Sequence, residues 1–217
     1  RQRQMCIRDR PNPTHFADLS GLGGGFLSAL STQVIGNSDF YNGAFPAEYS
    51  NALSGVFDMH LRNGNNQKYE HAFQVGLMGI DLASEGPINK KRGSSYLINY
   101  RFSTTSLASG NDLAFKLNFP TRKAGTFSIW GLGLIDRNKA DVLERSEWET
   151  MGDRSSGYNK LDKLAGGLAH KYVLDENTYI RSSLSATYSK DRSLADLHTD
   201  DAIINVADIQ NSRWNLV

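Results

Sequence analysis

Few residues of this chain have the types and spacing that a metal site requires. Asp58 and His60 are two residues apart and fall on one face of a predicted strand, so the pair could share a metal ion. A second acidic group, of the kind that can hold calcium in a loop, consists of Asp196, His198, Asp200 and Asp201. That group lacks the Asp-x-Asp-x-Asp-Gly order of a calcium-binding loop. We therefore expect polar strand and loop residues at both places, and no metal.

Catalytic groups are equally sparse. Glu144, Glu147 and Glu149 surround Trp148, a grouping that carboxylate catalysis on sugars could use. Carboxylates in a charged loop usually face solvent, however. The sequence has no Gly-x-Ser-x-Gly elbow, and its glycine run at 21–25 lacks the Lys-Ser/Thr pair of a phosphate-binding loop. We expect a protein that is not an enzyme and uses no cofactor, and a hydrolase that depends on Glu147 is the alternative left open.

The composition favours many strands joined by turns. The 217 residues include 20 glycines, and aromatic side chains make up 10% of the chain. Basic and acidic residues nearly cancel, at 24 against 23, so we expect no nucleic-acid partner. Cys6 is the only cysteine, which excludes a disulfide within the chain. No apolar run reaches the roughly 18 residues of a membrane helix, whereas the strands of a membrane barrel give only a weak hydropathy signal.

Alternating side chains predict a series of strands. The pattern over residues 55–62 indicates one apolar face and one charged face, the latter carrying Asp58, His60 and Arg62. Farther along, strands are predicted at 69–82, 94–104, 125–136, 161–174 and 178–189, with a strand cut short at 213–217. In the strand at 94–104 the apolar face consists of Tyr96, Ile98, Tyr100 and Phe102.

The lengths of these strands and of their connections favour a membrane barrel. A tilted transmembrane strand needs about 9–11 residues, whereas strands of soluble sheets usually have about five or six. Short connections are expected at 87–92 and 174–177, and long charged loops at 138–159 and 190–212. Outer-membrane barrels have short turns at one end and longer loops at the other. A soluble β-rich binding or adhesin module would give a similar pattern and is the principal alternative.

A motif in residues 45–59 carries a resemblance to a known family. The run Phe-Pro-Ala-Glu-Tyr-Ser-Asn-Ala-Leu-Ser-Gly-Val-Phe-Asp-Met is similar to the plug motif Pro-Ala-x-Tyr-Gly-x-x-x-Gly-Gly of TonB-dependent outer-membrane receptors and transporters. It departs from that motif at Ser50 and Ser54. Residues 117–128 resemble a barrel turn and strand of the Bacteroidetes-type branch, whose members often carry a carboxypeptidase-regulatory-like domain before the plug.

The resemblance gives five residues a structural role in the plug motif. Gly43 and Gly55 permit backbone conformations that a Cβ atom would resist. Pro46 fixes φ where the chain leaves a strand, and it precedes Glu48 of the motif. Tyr49 combines a large apolar ring with a hydroxyl that can anchor a loop. The charged residues that follow, Asp58, His60 and Arg62, are candidate contacts with the barrel wall or with a solute.

The fold that the resemblance implies is mostly β. It consists of the C-terminal part of a plug domain at 11–64, followed at 65–217 by the first five or six antiparallel strands of an incomplete transmembrane β-barrel. Residues 1–10 are expected to be a foreign or disordered extension, because they are basic and lack periodicity. Barrels of this class close about 22 strands. We therefore expect a fragment that lacks the signal sequence, the TonB-binding segment and most strands.

The resemblance also implies a function and a location. Transporters of this class lie in the outer membrane of Gram-negative bacteria, surrounded by lipid. They take up scarce solutes such as iron chelates, cobalamin or glycans. A TonB-type energy-coupling protein displaces the plug so that the solute can pass.

Overall fold

The chain is built almost entirely from β-strands in a computed structural model. Among the described residues, a single 3-10 turn at Arg145–Glu147 is the only helical element. None of the helical structure described is long and apolar enough to cross a membrane. The structure describes residues 4–7, 10–11, 15–16, 27–28, 31–42, 56–76, 79–105, 108–200 and 202–216.

Two small sheets come first. Their strands are β1 (Gln4–Ile7), β2 (Arg10–Pro11), β3 (His15–Phe16), β4 (Leu27–Ser28), β5 (Asp39–Tyr41) and β6 (Val56–Asp58). Four of them form a sheet in the order β2-β1-β6-β5, in which β1 and β6 are parallel, while β3 pairs with β4. This pairing includes residues on both sides of the boundary predicted at residue 10, and the domain division itself stays a prediction.

Eight longer strands form one antiparallel sheet. They are β7 (Glu70–Gly76), β8 (Gly79–Asn89), β9 (Ser94–Thr105), β10 (Ala108–Pro120), β11 (Thr126–Ala140), β12 (Ser155–Val173), β13 (Tyr179–His198) and β14 (Ile203–Leu216). Neighbours in the sheet are also neighbours along the chain, from β7 at one edge to β14 at the other. In the part of the chain that the structure describes, both edge strands pair on one side only, so the sheet is open.

Most of the predicted strands are confirmed. One predicted strand is in fact two strands, which the sequence pattern did not indicate. The strands predicted at 94–104, 125–136, 161–174 and 178–189 are β9, β11, β12 and β13. The strand predicted at 69–82 is instead the hairpin of β7 and β8. Gly79 follows the turn with φ of 130°, and a Cβ atom there would lie 2.1 Å from the carbonyl oxygen of Phe102. The hairpin therefore requires glycine at this position.

The prediction of a long loop at 190–212 is wrong. β13 continues to His198 and β14 begins at Ile203, which leaves only four residues, 199–202, between the two strands. Both faces carry polar side chains along much of this stretch, so it lacks the alternation that marks a half-buried strand.

β10 was not predicted as a full strand either, and the sheet has eight strands where the sequence indicated five and the start of a sixth. The other long loop is present, at 141–154.

The two faces of the large sheet differ in composition and in what covers them. The polar face carries buried Ser, Asn and Asp side chains, among them Asn99 and Asp112. We call residues 31–42 and 58–66 the covering segment, because its residues Ser31, Val34, Met59 and Arg62 contact this face. A small core joins the two parts, with Val34 and Met59 from the segment and Leu97 and Ala114 from the sheet.

The opposite, apolar face is exposed. Strand register places its large side chains in one continuous band across the sheet. The exposed members include Phe73, Leu82, Ile98, Phe102, Leu113, Phe127, Ile129, Leu164, Leu168, Ile180 and Leu184. Over β8 to β10 the usual arrangement of a water-soluble sheet, with apolar side chains covered and polar side chains solvated, is therefore inverted.

Candidate functional site

The candidate site is the contact between the covering segment and the polar face. Arg62, at the end of the segment, reaches Glu85 of β8 with both terminal nitrogens, each 2.7 Å from a carboxylate oxygen. Its Nε atom donates to the carbonyl oxygen of Gln33 at 2.7 Å. The Glu85 carboxylate also accepts the backbone N–H of Asn65 at 2.7 Å. One bidentate ion pair thus holds two parts of the segment and the sheet together.

The electrostatics of this pair favour the charged form of Arg62. The hydrogen bond to the Glu85 side chain raises the pKa of Arg62, whereas partial burial acts in the opposite direction. The side chain of Glu85 is only 11% exposed and that of Arg62 is 33% exposed. Loss of either partner would leave a poorly solvated charge at the contact.

Two further contacts lie on the polar face. The Ser31 hydroxyl donates to the Asp81 carboxylate at 2.6 Å, and the amide of Asn99 donates to the same carboxylate. Lys116 of β10 donates to the backbone carbonyl of Leu61 at 2.6 Å. The polar groups that hold the segment thus come from β8 and β10, while Asn99 of β9, between them, binds the Asp81 carboxylate.

The backbone of the segment approaches the sheet closely at Gly64. A Cβ atom at this position would lie 1.9 Å from the carbonyl oxygen of Tyr96. Only glycine allows this approach, which brings Asn65 within reach of Glu85.

Farther along the polar face, charged residues of neighbouring strands lie opposite one another. Register places Arg101 of β9 between Asp81 of β8 and Asp112 of β10. Arg101 pairs with Asp112 at 2.6 Å, and both side chains are largely buried. The polar face therefore carries carboxylate, guanidinium and amide groups side by side. Water or a polar solute could form hydrogen bonds with these groups, as the covering segment does.

The residues predicted for the site fall in three different settings. Arg62 lies in the ion pair with Glu85. The row of charges expected on one strand face is interrupted, because the ladder of β6 ends at Asp58, and Asp58 and Met59 are both buried. His60 is partly exposed, with its Nε2 atom 3.4 Å from the Asp58 carboxylate. The plug-motif residues Gly43, Pro46, Glu48, Tyr49 and Gly55 lie outside the described residues.

Glu144, Glu147, Glu149 and Asp200 lie in the connections at the far end of the sheet. Asp196 and His198 belong to β13, and Asp201 lies outside the described residues. Glu147 is exposed in the 3-10 turn, and Arg145 of the same turn pairs with Asp200 at 2.5 Å. His198 contacts the hydroxyl of Ser156 at 2.9 Å. Over the ranges that the structure describes, no group of three or more His, Cys, Asp or Glu side chains is arranged to hold a metal ion.

The partners of the segment, Glu85, Asp81 and Lys116, were not predicted from the sequence. A signal was present for the first two, because residues four apart on a strand share a face. Asp81 and Glu85 therefore mark a charged face of β8 opposite Leu82. What they contact depends on residues far away in the sequence, which no local pattern specifies.

Comparison with known proteins gives no family assignment. The chain matches no family model, no curated protein and no solved structure.

Proposed function

We propose that this chain forms part of a TonB-dependent outer-membrane transporter. In this proposal the large sheet belongs to the wall of a transmembrane barrel, and the covering segment belongs to the plug that closes the lumen. The observation that carries the proposal is the exposed apolar band on one face, together with a polar face that the covering segment contacts over β8 to β10.

The apolar face has the character of a surface in contact with lipid. Leu184 is 53% exposed and Leu168 is 52% exposed, at the centre of a band that neither water nor another described segment would stabilise. In a barrel these side chains face the acyl chains, while the polar side chains of alternate positions line the wet interior. A soluble sheet with such a band would be prone to associate.

The height of the band agrees with a membrane. In β11 it extends from Phe127 to Ile135, which is about 27 Å along the strand. With the tilt of roughly 40° that barrel strands have, this gives about 20 Å along the membrane normal, close to the outward apolar band of about 25 Å in known barrels.

Aromatic side chains lie at both ends of the band. Near the short turns, the ring of His170 stacks between Phe127 and Tyr172, at centroid distances of 4.3 and 6.5 Å. Near the far end, Tyr188 and Trp214 contact each other with centroids 4.3 Å apart. Aromatic girdles of this kind mark the two interfaces of membrane barrels.

The polar contacts of the covering segment suit a plug that must move. When the segment moves, bonds to water can replace these hydrogen bonds and ion pairs, so the net cost of opening them is smaller than that of exposing a large apolar core. In the proposed mechanism, an energised TonB-type partner pulls on the plug, the contacts at Glu85 and Asp81 open, and a solute passes along the polar face. Iron chelates, cobalamin and glycans are the solute classes of this proposal.

Cell fractionation tests the proposal. The protein, expressed in a Gram-negative host with an export signal, is expected in the outer-membrane fraction and to need detergent for extraction. Solute uptake should stop when the energy-coupling partner is removed. Recovery in the soluble periplasmic fraction would contradict the membrane placement and favour the soluble binding module instead.

A further inference from the structure

A belt of charged side chains lies on the outward face, directly beyond the apolar band. Register places Arg137 opposite Lys160, Lys160 opposite Arg192, and Lys190 opposite Asp162. These positions belong to the same face as Ile135, Leu164 and Tyr188, because each differs from its apolar neighbour by an even number of residues. The belt follows the band across four strands, β11 to β14, on the side of the sheet away from the covering segment.

Positive charge exceeds negative charge in this belt. Up to the level of Asp208, its five cations are Arg137, Lys139, Lys160, Lys190 and Arg192, and its two carboxylates are Asp162 and Asp208. Lys139 pairs with Asp141 of the following loop at 2.5 Å. Asp162 pairs with Arg137 at 2.6 Å and lies 3.5 Å from Lys160. Asp208 pairs with Arg192 at 3.2 Å.

Lys190 remains without an acidic partner among the described residues. It lies opposite Ser212 of β14 on one side and Asp162 of β12 on the other, and Asp162 already pairs with two other cations. The side chains of Lys160 and Arg192 are 34% and 42% exposed, so both remain accessible from the outward face.

The charged belt and the apolar band are adjacent parts of one continuous surface. Lys190 is two residues from Tyr188, or about 7 Å along the strand. Tyr188 contacts Trp214, which is 74% exposed at the same level of the sheet. An amphiphile that lies with its acyl chains along Leu164 and Leu184 therefore has its headgroup beside Lys160 and Lys190.

We propose that this belt binds the anionic, phosphate-bearing headgroup of a membrane lipid. The inference rests on the membrane placement proposed above, but it is independent of transport. Lysine and arginine donate hydrogen bonds to phosphate oxygens, and the excess of cations provides the complementary charge. Each basic residue near an anionic lipid surface strengthens binding by a factor of about five.

Trp214 supplies the probe for a test. The full chain is reconstituted in nanodiscs that contain equal amounts of phosphatidylglycerol and phosphatidylcholine, with bromine on the acyl chains of one lipid or the other. Bromine quenches a tryptophan that it contacts, and subtraction of the signal of the Trp214→Phe variant isolates this residue. The ratio of quenching by the two lipids measures the local excess of the anionic lipid.

We expect the anionic lipid to quench Trp214 several-fold more than the zwitterionic lipid, and the ratio to fall close to one in the Lys160→Gln/Lys190→Gln variant. The control is Lys163→Gln/Arg213→Gln, which removes two cations from the opposite face of neighbouring strands. It should keep the wild-type ratio.

The remaining outcomes separate the two proposals. Equal quenching by both lipids in the wild type, or an equal loss in the control, would overturn the headgroup site while leaving the membrane placement intact. Absence of quenching by either lipid would overturn both. Inorganic phosphate should lower the ratio no more than sodium chloride at the same ionic strength, and a larger effect would show a site for free phosphate instead of lipid.

Discussion

Removal of the Arg62 side chain should lower the free energy of unfolding. In Arg62→Met the partly buried Glu85 carboxylate loses two charge-assisted hydrogen bonds and keeps the one from Asn65. We expect a loss of about 1–3 kcal/mol in the free energy of unfolding, with faster proteolysis within residues 31–66. Urea titration and limited proteolysis of the chain in lipid vesicles measure the two effects.

The matched control for this change is Arg192→Met. Arg192 and Asp208 form a pair whose side chains are both nearly half exposed, so its removal should change stability by less than about 1 kcal/mol. Equal effects of the two substitutions would show that the Arg62 pair does not hold the segment.

Gly64 provides a steric test of the same contact. In Gly64→Ala the new Cβ atom would meet the backbone of Tyr96, so the segment must move away from β9. We expect about 1–3 kcal/mol of destabilisation and faster hydrogen exchange at the Arg62 amide, which donates to the carbonyl of Val34. At Gly76 nothing lies within 4 Å of an added Cβ atom, so Gly76→Ala should leave both quantities nearly unchanged.

Asp153 gives the loop at 141–154 a dependence on pH. Hydrogen bonds from the backbone and hydroxyl of Thr150, and from the backbone of Glu149, lower the pKa of this carboxyl below its ordinary value of 3.8. Because the folded pKa is depressed, the contribution is present above about pH 4 and is lost as the pH falls through the folded value.

Hydrogen exchange of the Thr150 amide measures this effect. Its protection should fall on acidification in the wild type, whereas Asp153→Asn should show weaker protection that no longer changes over the same range of pH. An unchanged acid transition in the variant would assign the effect to another group.

At the scale of the elements, β13 distinguishes a membrane strand from a soluble one. Leu184 is at the middle of the apolar band, and Ser183 points to the polar face of the same strand. In lipid vesicles Leu184→Arg should cost about 2–4 kcal/mol, whereas Ser183→Arg should be tolerated. In a soluble module both changes would stay within about 0.5 kcal/mol, because Leu184 is half exposed. Urea unfolding in vesicles of known composition measures the difference.

The strands also show where alternation in the sequence predicts a strand and where it does not. β9, β11, β12 and β13 were predicted because apolar and polar side chains alternate along them. The same reasoning failed beyond Lys190, where polar residues occupy both faces and the strands nevertheless continue to His198 and from Ile203. In that stretch backbone pairing with neighbours, and not burial of one face, maintains the strand.

At the scale of the whole molecule, the open edges and the apolar face predict association in water. β7 and β14 expose unpaired backbone groups, and the apolar face is available to a second copy. The chain in buffer without lipid is therefore expected to sediment as large species, and detergent micelles should suppress this. A sharp monomeric boundary in buffer alone would contradict the proposed membrane wall.

The sequence by itself determined the class of structure and the composition of each face. Strand geometry is local, because alternate residues point to opposite sides of a strand. The apolar face that contains Ile98 and Phe102 could therefore be predicted from the sequence without knowledge of the fold. The plug motif around Pro46 and Tyr49 stays a prediction, since it lies outside the described residues.

Only the tertiary structure decided which face is covered. Arg62 meets Glu85 across 23 residues, Ser31 meets Asp81 across 50, and Lys116 meets Leu61 across 55. Such contacts depend on how the chain returns over its own sheet and on the register of strands that are distant in sequence. The same register gathers the charges around Lys190 into one belt, because each strand alone contributes only one or two of them.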